Sequence, residues 1–250
     1  MYVALAAAAL PPALALGSFL NVVAARLPEG RSLVAPPSAC GACGARIAWH
    51  DNVPILSYLL LRGRCRSCGG RIGLRYVAVE ALTGLLVAAC FLHFGLTADA
   101  FVASFFVAVL VVLSAIDFER RILPDKIVLP SFVAVLAAQV ALHPDRALEW
   151  VVASLAASGF LLAALLAYPK GMGMGDVKLA LLLGAMLGWT VAAGLMVGMV
   201  AALVPSIVLL ARHGAAARTM GIPFGPFLAL GAVVALFWGD ALLSAYLGAL

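Results

Sequence analysis

Apolar stretches of roughly 20 residues recur along the whole length of this 250-residue chain, and each is long enough to cross a bilayer as a helix. Hydrophobic residues make up 65% of the sequence and charged residues only 11%, whereas soluble domains have about 45–50% and about 25%. So few polar residues cannot cover a water-facing surface. The composition therefore predicts an all-α, polytopic membrane protein whose main surroundings are the lipid bilayer.

These stretches predict about eight transmembrane helices. Their expected bounds are 1–25, 77–95, 98–116, 127–143, 148–168, 177–188, 190–211 and 226–247. The first stretch has no Lys or Arg ahead of its apolar core, and Arg26 follows it, which reverses the charge order of a secretory signal peptide. We therefore expect the first helix to be retained, with its N-terminus outside.

The basic residues are distributed very unevenly among the predicted loops. With the N-terminus outside, the inner segments are 26–76, 117–126, 169–176 and 212–225. Fifteen of the 16 Lys and Arg residues lie in or just beside these segments, and only Arg146 lies outside. Because cytoplasmic loops collect Lys and Arg, we predict that the four segments are cytoplasmic. This topology accounts for the net charge of +5, and the charge gives no reason to expect a nucleic-acid partner.

The long polar segment 26–76 contains an internal repeat of the pattern C-x-x-C-G-x-R-I, at CGACGARI (40–47) and CRSCGGRI (65–72). Four cysteine thiolates in two close pairs are typical ligands of a tetrahedral, structural zinc site. The expected ligands are Cys40, Cys43, Cys65 and Cys68. Disulfides are the alternative, which a cytoplasmic location disfavours.

The same segment has too few large apolar side chains to form its own core, so metal binding would supply most of its folding free energy. Gly44 and Gly69, which follow the second cysteine of each pair, suit tight turns with positive φ. We therefore expect three parts: a first transmembrane helix (1–25), a cytoplasmic zinc-binding domain (26–76) and a seven-helix membrane domain (77–250).

Two aspartates lie at the ends of apolar runs on the predicted cytoplasmic side. Asp117 ends the third run, and Asp176 follows the alternating glycines Gly171, Gly173 and Gly175. A carboxylate at the edge of hydrocarbon is costly unless it has a partner or a function. Pairing with nearby cations would explain Asp117 without catalysis, and capping of the following helix would do the same for Asp176.

If Asp117 and Asp176 meet, their charges repel and the pair holds a single proton near neutrality. Aspartic proteases use this arrangement, in which one carboxylate activates water and the other protonates or polarises the scissile carbonyl. The sequence contains no other nucleophile motif, P-loop or dinucleotide fingerprint. The two aspartates therefore favour a peptidase.

Seven motifs, in this order along the chain, match one family. They are GSFLNVVAARLP (17–28), the paired CxxC motifs, SYLLLRGRC (57–65), RYVAVEALTG (75–84), IDFERRILPD (116–125), GMGMGDVKL (171–179) and IPFGPFLALG (222–231). Through them nearly the whole chain resembles the bacterial type IV prepilin peptidases, which are leader peptidase/N-methyltransferases of the membrane-embedded GxGD aspartyl group. Val77 departs from the family pattern, which often has Pro after the Tyr.

This resemblance implies that Asp117 and Asp176 are the catalytic pair and that the four cysteines bind zinc. Supporting positions would be Asp125, Gly173, Gly175 and Lys178. The implied substrates are type IV prepilins and type II secretion pseudopilins, cut after the leader's terminal Gly on the cytoplasmic side of the bacterial inner membrane. The new N-terminal residue, usually Phe, would then be methylated with S-adenosylmethionine.

The methyl-transfer residues are harder to predict, because no soluble-type methyl-donor fold is visible. Glu80, an acid inside the second span, is a candidate for the methyl-donor or amine site, and Asn21 and Gly63 are further candidates. The alternative for Glu80 is a structural pairing with Arg75 or with another helix.

Two other functions remain open from the residues alone. A non-enzymatic membrane scaffold, whose zinc module docks pilus or secretion components, would give the aspartates no chemical role. A transporter with coupling acids would carry carboxylates near the middle of the bilayer, whereas the acids of this chain cluster at the edges of its apolar runs.

Overall fold

A computed structural model describes residues 1–169, 171–214 and 222–248, and it confirms the all-α class. The described residues contain no β-strand, only two isolated β-bridges in the polar segment. The α-helices are α1 (Tyr2–Arg26), α2 (Leu56–Leu60), α3 (Leu74–Phe94), α4 (Ala98–Arg120), α5 (Asp125–Leu142), α6 (Ala147–Ala167), α7 (Met174–Leu187), α8 (Val191–His213) and α9 (Gly225–Leu247). Lys170 and Arg218, two of the cations behind the predicted orientation, lie outside the described residues.

Each of the eight predicted spans coincides with one helix, and only the short α2 has no counterpart in the prediction. By length and composition, seven stretches of the described chain can cross a membrane. One of them, Met174–Arg212, contains both α7 and α8, which a single 3₁₀ turn at Gly188–Thr190 joins. Together the helices give a multi-pass membrane protein.

Apolar side chains on the outside of the helices suit a lipid environment. Helix α8 is the clearest case, with large exposed side chains at Met196, Val200, Leu203, Val204, Ile207, Val208 and Leu210. Such a surface is unfavourable in water by about 25 cal/mol per Å² of apolar area. In hydrocarbon this penalty disappears, so these exposed apolar side chains are consistent with a helix that faces lipid.

The chain forms two compact units, Met1–Ile116 and Asp117–Leu250. In the first unit α1 packs along α3. Gly17 lies against the backbone of Glu80, and Gly84 lies against Leu14, so small residues let the two helices approach closely. The rings of Phe91 and Phe101 make an edge contact at 5.3 Å between centroids, which joins α3 to α4.

In the second unit, glycines again mark where helices cross. Gly184 of α7 lies against the backbone of Ser154 on α6. Gly231 of α9 lies against the backbone of Gly194 and Gly198 on α8. The four-residue spacing of Gly194 and Gly198 is the small-xxx-small pattern of closely packed membrane helices. These crossings fix the ends of α7 and α9, where the polar groups of the second unit lie.

Candidate functional site

The cysteine repeat folds into two turns with the same hydrogen bonds. Gly44 donates its N–H to the carbonyl of Cys40 at 2.8 Å, and Gly69 donates to the carbonyl of Cys65 at 2.9 Å. Both glycines have positive φ, +72° and +69°, as their positions in the sequence predict. Each repeat therefore builds one tight turn that carries two cysteines.

The two turns bring four sulfur atoms together. The Sγ atoms of Cys40, Cys43, Cys65 and Cys68 all lie within 4.8 Å of one another, and those of Cys40 and Cys68 are 3.9 Å apart. In a tetrahedral site with Zn–S bonds of about 2.3 Å, neighbouring sulfurs are about 3.8 Å apart. The four thiols can therefore hold a metal ion, and their spacing fits zinc. The fifth cysteine, Cys90, is buried in α3 outside the cluster.

The pKa shifts differ within this cluster: backbone groups favour the thiolate form of Cys40, whereas the pKa of Cys68 is raised to about 11 beside the other thiols. Hydrogen bonds from the backbone of Cys43 and of Ala42 lower the pKa of the Cys40 thiol to about 6. Beside the cluster, the guanidinium of Arg66 binds Asp51 through two nitrogens, with Nε–Oδ2 and Nη2–Oδ1 distances of 2.8 and 2.6 Å. These bonds hold the pKa of the Asp51 carboxyl below its usual range. They also tie the second turn to the chain ahead of α2.

A cavity of about 650 Å³ lies in the first unit, between the polar segment and helices α1 and α3. Two of the predicted methyl-transfer candidates, Asn21 and Glu80, line it. Asn21 is only 4% exposed, and its Nδ2 donates to the carbonyl of Tyr76 at 3.0 Å. Its Oδ1 is buried and accepts no hydrogen bond from the described residues.

Glu80 joins three parts of the first unit. Its Oε2 accepts the N–H of Ile55 at 2.9 Å, and its carboxylate also bonds the Ser18 hydroxyl on α1. Glu80 therefore makes the contact to another helix that the structural alternative predicted, and it also lines the cavity. Gly63, the third candidate, has φ +68° and packs against the ring of Tyr58. That ring lines the cavity, so Gly63 lies behind its wall.

In the second unit, Asp117 lies in the last turn of α4, because the helix continues beyond the apolar run to Arg120. Its side chain is buried, with 6% exposure. The Oδ2 atom accepts the N–H of Gly225 at 3.0 Å, at the start of α9. A Cβ at Gly225 would lie only 2.9 Å from that oxygen, so a larger residue at this position would require the Asp117 carboxyl to move.

Asp176 is the third residue of α7 and is also buried, with 8% exposure. Its Oδ2 accepts the N–H of Gly173 at 3.2 Å, which satisfies a free donor at the helix N-terminus. The capping role considered for Asp176 is therefore present. The helix dipole also favours a negative charge at this position.

Leu123 links the surroundings of the two aspartates. Its side chain packs against Gly175, next to Asp176, and against Gly225, the hydrogen-bond donor to Asp117. The structure thus brings Asp117 and Asp176 into one site at the ends of α4 and α7. Gly225 and Leu123 were not among the predicted site residues, although both lie inside quoted motifs.

Asp125 lies beside this site and pairs with Lys178. The Nζ atom of Lys178 is 2.7 and 2.8 Å from the two carboxylate oxygens of Asp125. The side chains are 54% exposed for Asp125 and 31% for Lys178. This ion pair joins the first residue of α5 to the first turns of α7. Asp125 is thus exposed and paired with a cation, whereas Asp117 and Asp176 are buried.

Comparisons with known proteins agree with this geometry. The model of the Bacterial Peptidase A24 N-terminal domain matches residues 12–94, and the model of the Type IV leader peptidase family matches residues 104–217. No solved structure matches the chain. The first match covers the four cysteines and the cavity, and the second covers both buried aspartates.

Curated relatives carry the name prepilin leader peptidase/N-methyltransferase. One from Bacillus subtilis (strain 168) is 34% identical over 94% of this chain and 94% of its own length. One from Pseudomonas aeruginosa is 37% identical over 94% of this chain and 90% of its own length. One from Myxococcus xanthus (strain DK1622) is 40% identical over 82% of this chain, which spans 64% of that relative. The chain belongs to the type IV leader peptidase family.

Proposed function

We propose that this chain is a membrane-embedded aspartyl endopeptidase that removes the leader from type IV prepilins and type II secretion pseudopilins, and that it methylates the new N-terminus. Asp117 and Asp176 are the catalytic pair. The observation that carries the proposal is the pair of buried carboxyl groups, 6% and 8% exposed, at the ends of two membrane helices whose surroundings share Leu123. The names of the relatives support the substrate class and the two activities.

The chemistry follows from two acids that share one proton. The ionised carboxylate accepts a proton from a water molecule, whose oxygen attacks the scissile carbonyl, while the protonated carboxyl hydrogen-bonds to the carbonyl oxygen. Collapse of the tetrahedral intermediate breaks the C–N bond after the leader's Gly, and the leaving amine takes a proton. The N–H groups of Gly225 and Gly173 hold the two carboxyls in fixed positions for these steps.

The supporting residues act by position. Gly175 lets Leu123 pack closely beside Asp176, since a Cβ on Gly175 would lie 2.9 Å from Leu123, and Gly173 donates its N–H to Asp176. The ion pair of Asp125 and Lys178 keeps the start of α5 against α7. These contacts hold α7 in register with the end of α4.

The rest of the predicted organisation belongs to the same proposal. Residues 26–76 form a cytoplasmic, methyltransferase-associated zinc domain between the first helix (1–25) and the peptidase domain (77–250), and the zinc ion is structural because four thiolates fill its shell. The protein lies in the bacterial inner membrane with its N-terminus outside and both sites on the cytoplasmic side. S-adenosylmethionine supplies an electrophilic methyl group. Asn21 and Glu80, which line the cavity of the first unit, would hold this donor for methylation of the new amine.

The decisive experiment replaces each aspartate by its amide. Asp117→Asn and Asp176→Asn keep an oxygen that accepts the backbone N–H, so the protein should fold and insert. Because general acid–base catalysis contributes roughly 10²–10⁴-fold, we expect prepilin cleavage to fall at least a hundredfold in either variant. Purified enzyme in detergent is incubated with a prepilin and labelled S-adenosylmethionine, and mass spectrometry scores cleavage and methylation separately.

Asp145→Asn is the matched control, since Asp145 is an exposed acid in the turn ahead of α6. It should cleave at the rate of the parent protein. Normal processing by Asp117→Asn or Asp176→Asn, in protein with parental thermal stability, would refute the aspartyl mechanism.

A further inference from the structure

We propose that the cavity in the first unit binds the methyl donor in one orientation, with its carboxylate at Arg46 and Arg71 and its sulfonium facing Glu80 and Asn21. This inference rests on the proposed methyl-transfer activity and gives that activity a site. All four residues line the cavity of about 650 Å³. Ligand pockets for molecules of this size measure about 300–1,000 Å³.

The sequence repeat supplies the anion-binding end. Arg46 and Arg71 occupy the same position in the two copies of C-x-x-C-G-x-R-I, so each half of the metal-binding module contributes one arginine to the cavity. Both are exposed, and neither side chain has a hydrogen bond or ion pair with any residue that the structure describes. Two such guanidinium groups are suited to a carboxylate, because each presents a planar fork of donors.

The other arginines of the cavity already have partners. Arg26 donates to the backbone carbonyls of Ser32 and Pro36. Arg31 pairs with Glu29, and Arg66 pairs with Asp51. These contacts stabilise the polar segment itself, so Arg46 and Arg71 are the cavity arginines that can bind a ligand without losing such a contact.

Other residues of the cavity lining suit a positive centre. Glu80 brings a carboxylate that is 8% exposed, and Asn21 brings a buried Oδ1 that accepts no hydrogen bond within the described chain. A buried acceptor without a donor is unfavourable, so a ligand that offers positive charge or a donor there recovers this loss. Ile55 and Ser18 hold the Glu80 carboxylate in place by hydrogen bonds.

The two arginines, together with Glu80 and Asn21, favour a ligand that carries both a carboxylate and a cationic group. A purely anionic ligand would leave Glu80 facing like charge, and a neutral one would leave both arginines unused. S-adenosylmethionine carries a carboxylate and a permanently charged sulfonium. S-adenosylhomocysteine keeps the carboxylate and lacks the sulfonium charge, which makes the two molecules a matched pair of probes.

Equilibrium binding of both probes tests the orientation. The full-length protein in detergent, with its metal bound, is titrated by calorimetry. In Glu80→Gln, which keeps an acceptor for Ile55, we expect S-adenosylmethionine to bind about tenfold more weakly and S-adenosylhomocysteine to bind nearly as before. In the double variant Arg46→Gln/Arg71→Gln, we expect both probes to lose affinity by about the same factor, at least tenfold.

Arg64→Gln is the matched control, because Arg64 is an exposed arginine of the same module that does not line the cavity. It should bind both probes as the parent protein does. Thermal unfolding and metal content, measured on every variant, confirm that the module is intact. The arginine variants alter only exposed side chains, so they test the site even where Glu80→Gln proves unstable.

The outcomes separate this inference from the proposed function. If Glu80→Gln and the double variant Arg46→Gln/Arg71→Gln both bind both probes with the affinity of the parent protein, the inference is wrong. Methylation by the parent protein would still support the proposed function. Equal weakening of both probes in Glu80→Gln would overturn the assigned orientation. A parent protein that cleaves prepilin and binds neither probe would also overturn the inference. Probe binding that follows the expected pattern in a protein that cleaves no prepilin would support the inference and refute the peptidase.

Discussion

At the scale of single residues, the buried aspartates depend on backbone donors that lack side chains. Gly225 donates its N–H to Asp117, and Gly173 donates to Asp176. Each donor fixes the position of the acceptor oxygen, because a buried carboxylate without a hydrogen-bond partner is strongly unfavourable. Two glycines therefore help to determine where the carboxylate oxygens of the proposed catalytic pair lie.

Gly225→Ala should separate this positioning from folding. The new Cβ would lie 2.9 Å from Asp117 Oδ2, so the carboxyl must turn away from the backbone donor. We expect the rate of prepilin cleavage to fall at least tenfold, because small displacements of reacting groups are costly. Gly159→Ala is the control, since nothing lies within 4 Å of a Cβ there, and it should cleave normally. Normal cleavage by Gly225→Ala would show that the hydrogen bond to Asp117 is dispensable.

At the scale of secondary-structure elements, glycines set the distance between α8 and α9. Gly231 meets the backbone of Gly194 and Gly198, so the two helices touch without intervening side chains. Because α9 begins at the donor to Asp117, a shift of α9 would also move the site. This packing connects the contact between α8 and α9 to the position of Gly225 beside Asp117.

Gly198→Leu should push α9 away from α8. A Cβ at Gly198 would lie 2.8 Å from the carbonyl oxygen of Phe227, and a leucine is larger still. Overpacking of this kind costs about 1–3 kcal/mol, so we expect a lower thermal midpoint together with slower cleavage. Unfolding in detergent, followed by circular dichroism, checks the stability. An unchanged midpoint would mean that α8 and α9 do not rely on this close approach.

The helices could be predicted closely from the sequence, whereas the details of the sites could not. Apolar runs long enough to span a bilayer give a strong signal, so the predicted spans fall within a few residues of the helices. Helix α2 has only five residues, which is too short for any periodicity to be read. The bond between Asp117 and Gly225 joins positions 108 residues apart. Only tertiary packing brings them together, and the same holds for the cavity wall of Asn21 and Glu80.

At the scale of the whole molecule, the two candidate sites lie in different compact units. The cysteine cluster and the cavity belong to Met1–Ile116, and the aspartates belong to Asp117–Leu250. The polar segment has few buried apolar side chains of its own, so a metal ion at the four cysteines would supply much of its folding free energy. Loss of the metal should therefore act first on the unit that contains it.

Cys43→Ser tests this dependence. We expect it to abolish stoichiometric zinc, because one of four ligands is lost, and to expose residues 27–73 to proteases while the helices remain protected. Cys90→Ser is the control, since Cys90 lies in α3 away from the cluster, and it should keep its zinc. Metal analysis and limited proteolysis followed by mass spectrometry give the two readouts. Full zinc content in Cys43→Ser would rule out a four-cysteine site.

The length of α7 has a consequence for the surrounding membrane. Its 14 residues extend about 21 Å, which is about 9 Å less than the hydrocarbon core of a typical bilayer. Asp176 stands at one end of this short helix, so a thick bilayer would create a hydrophobic mismatch beside this proposed catalytic residue. Prepilin cleavage should therefore slow as the acyl chains of a phosphatidylcholine vesicle lengthen from 14 to about 22 carbons. Membrane thickness would then control the rate of prepilin cleavage without any bound effector.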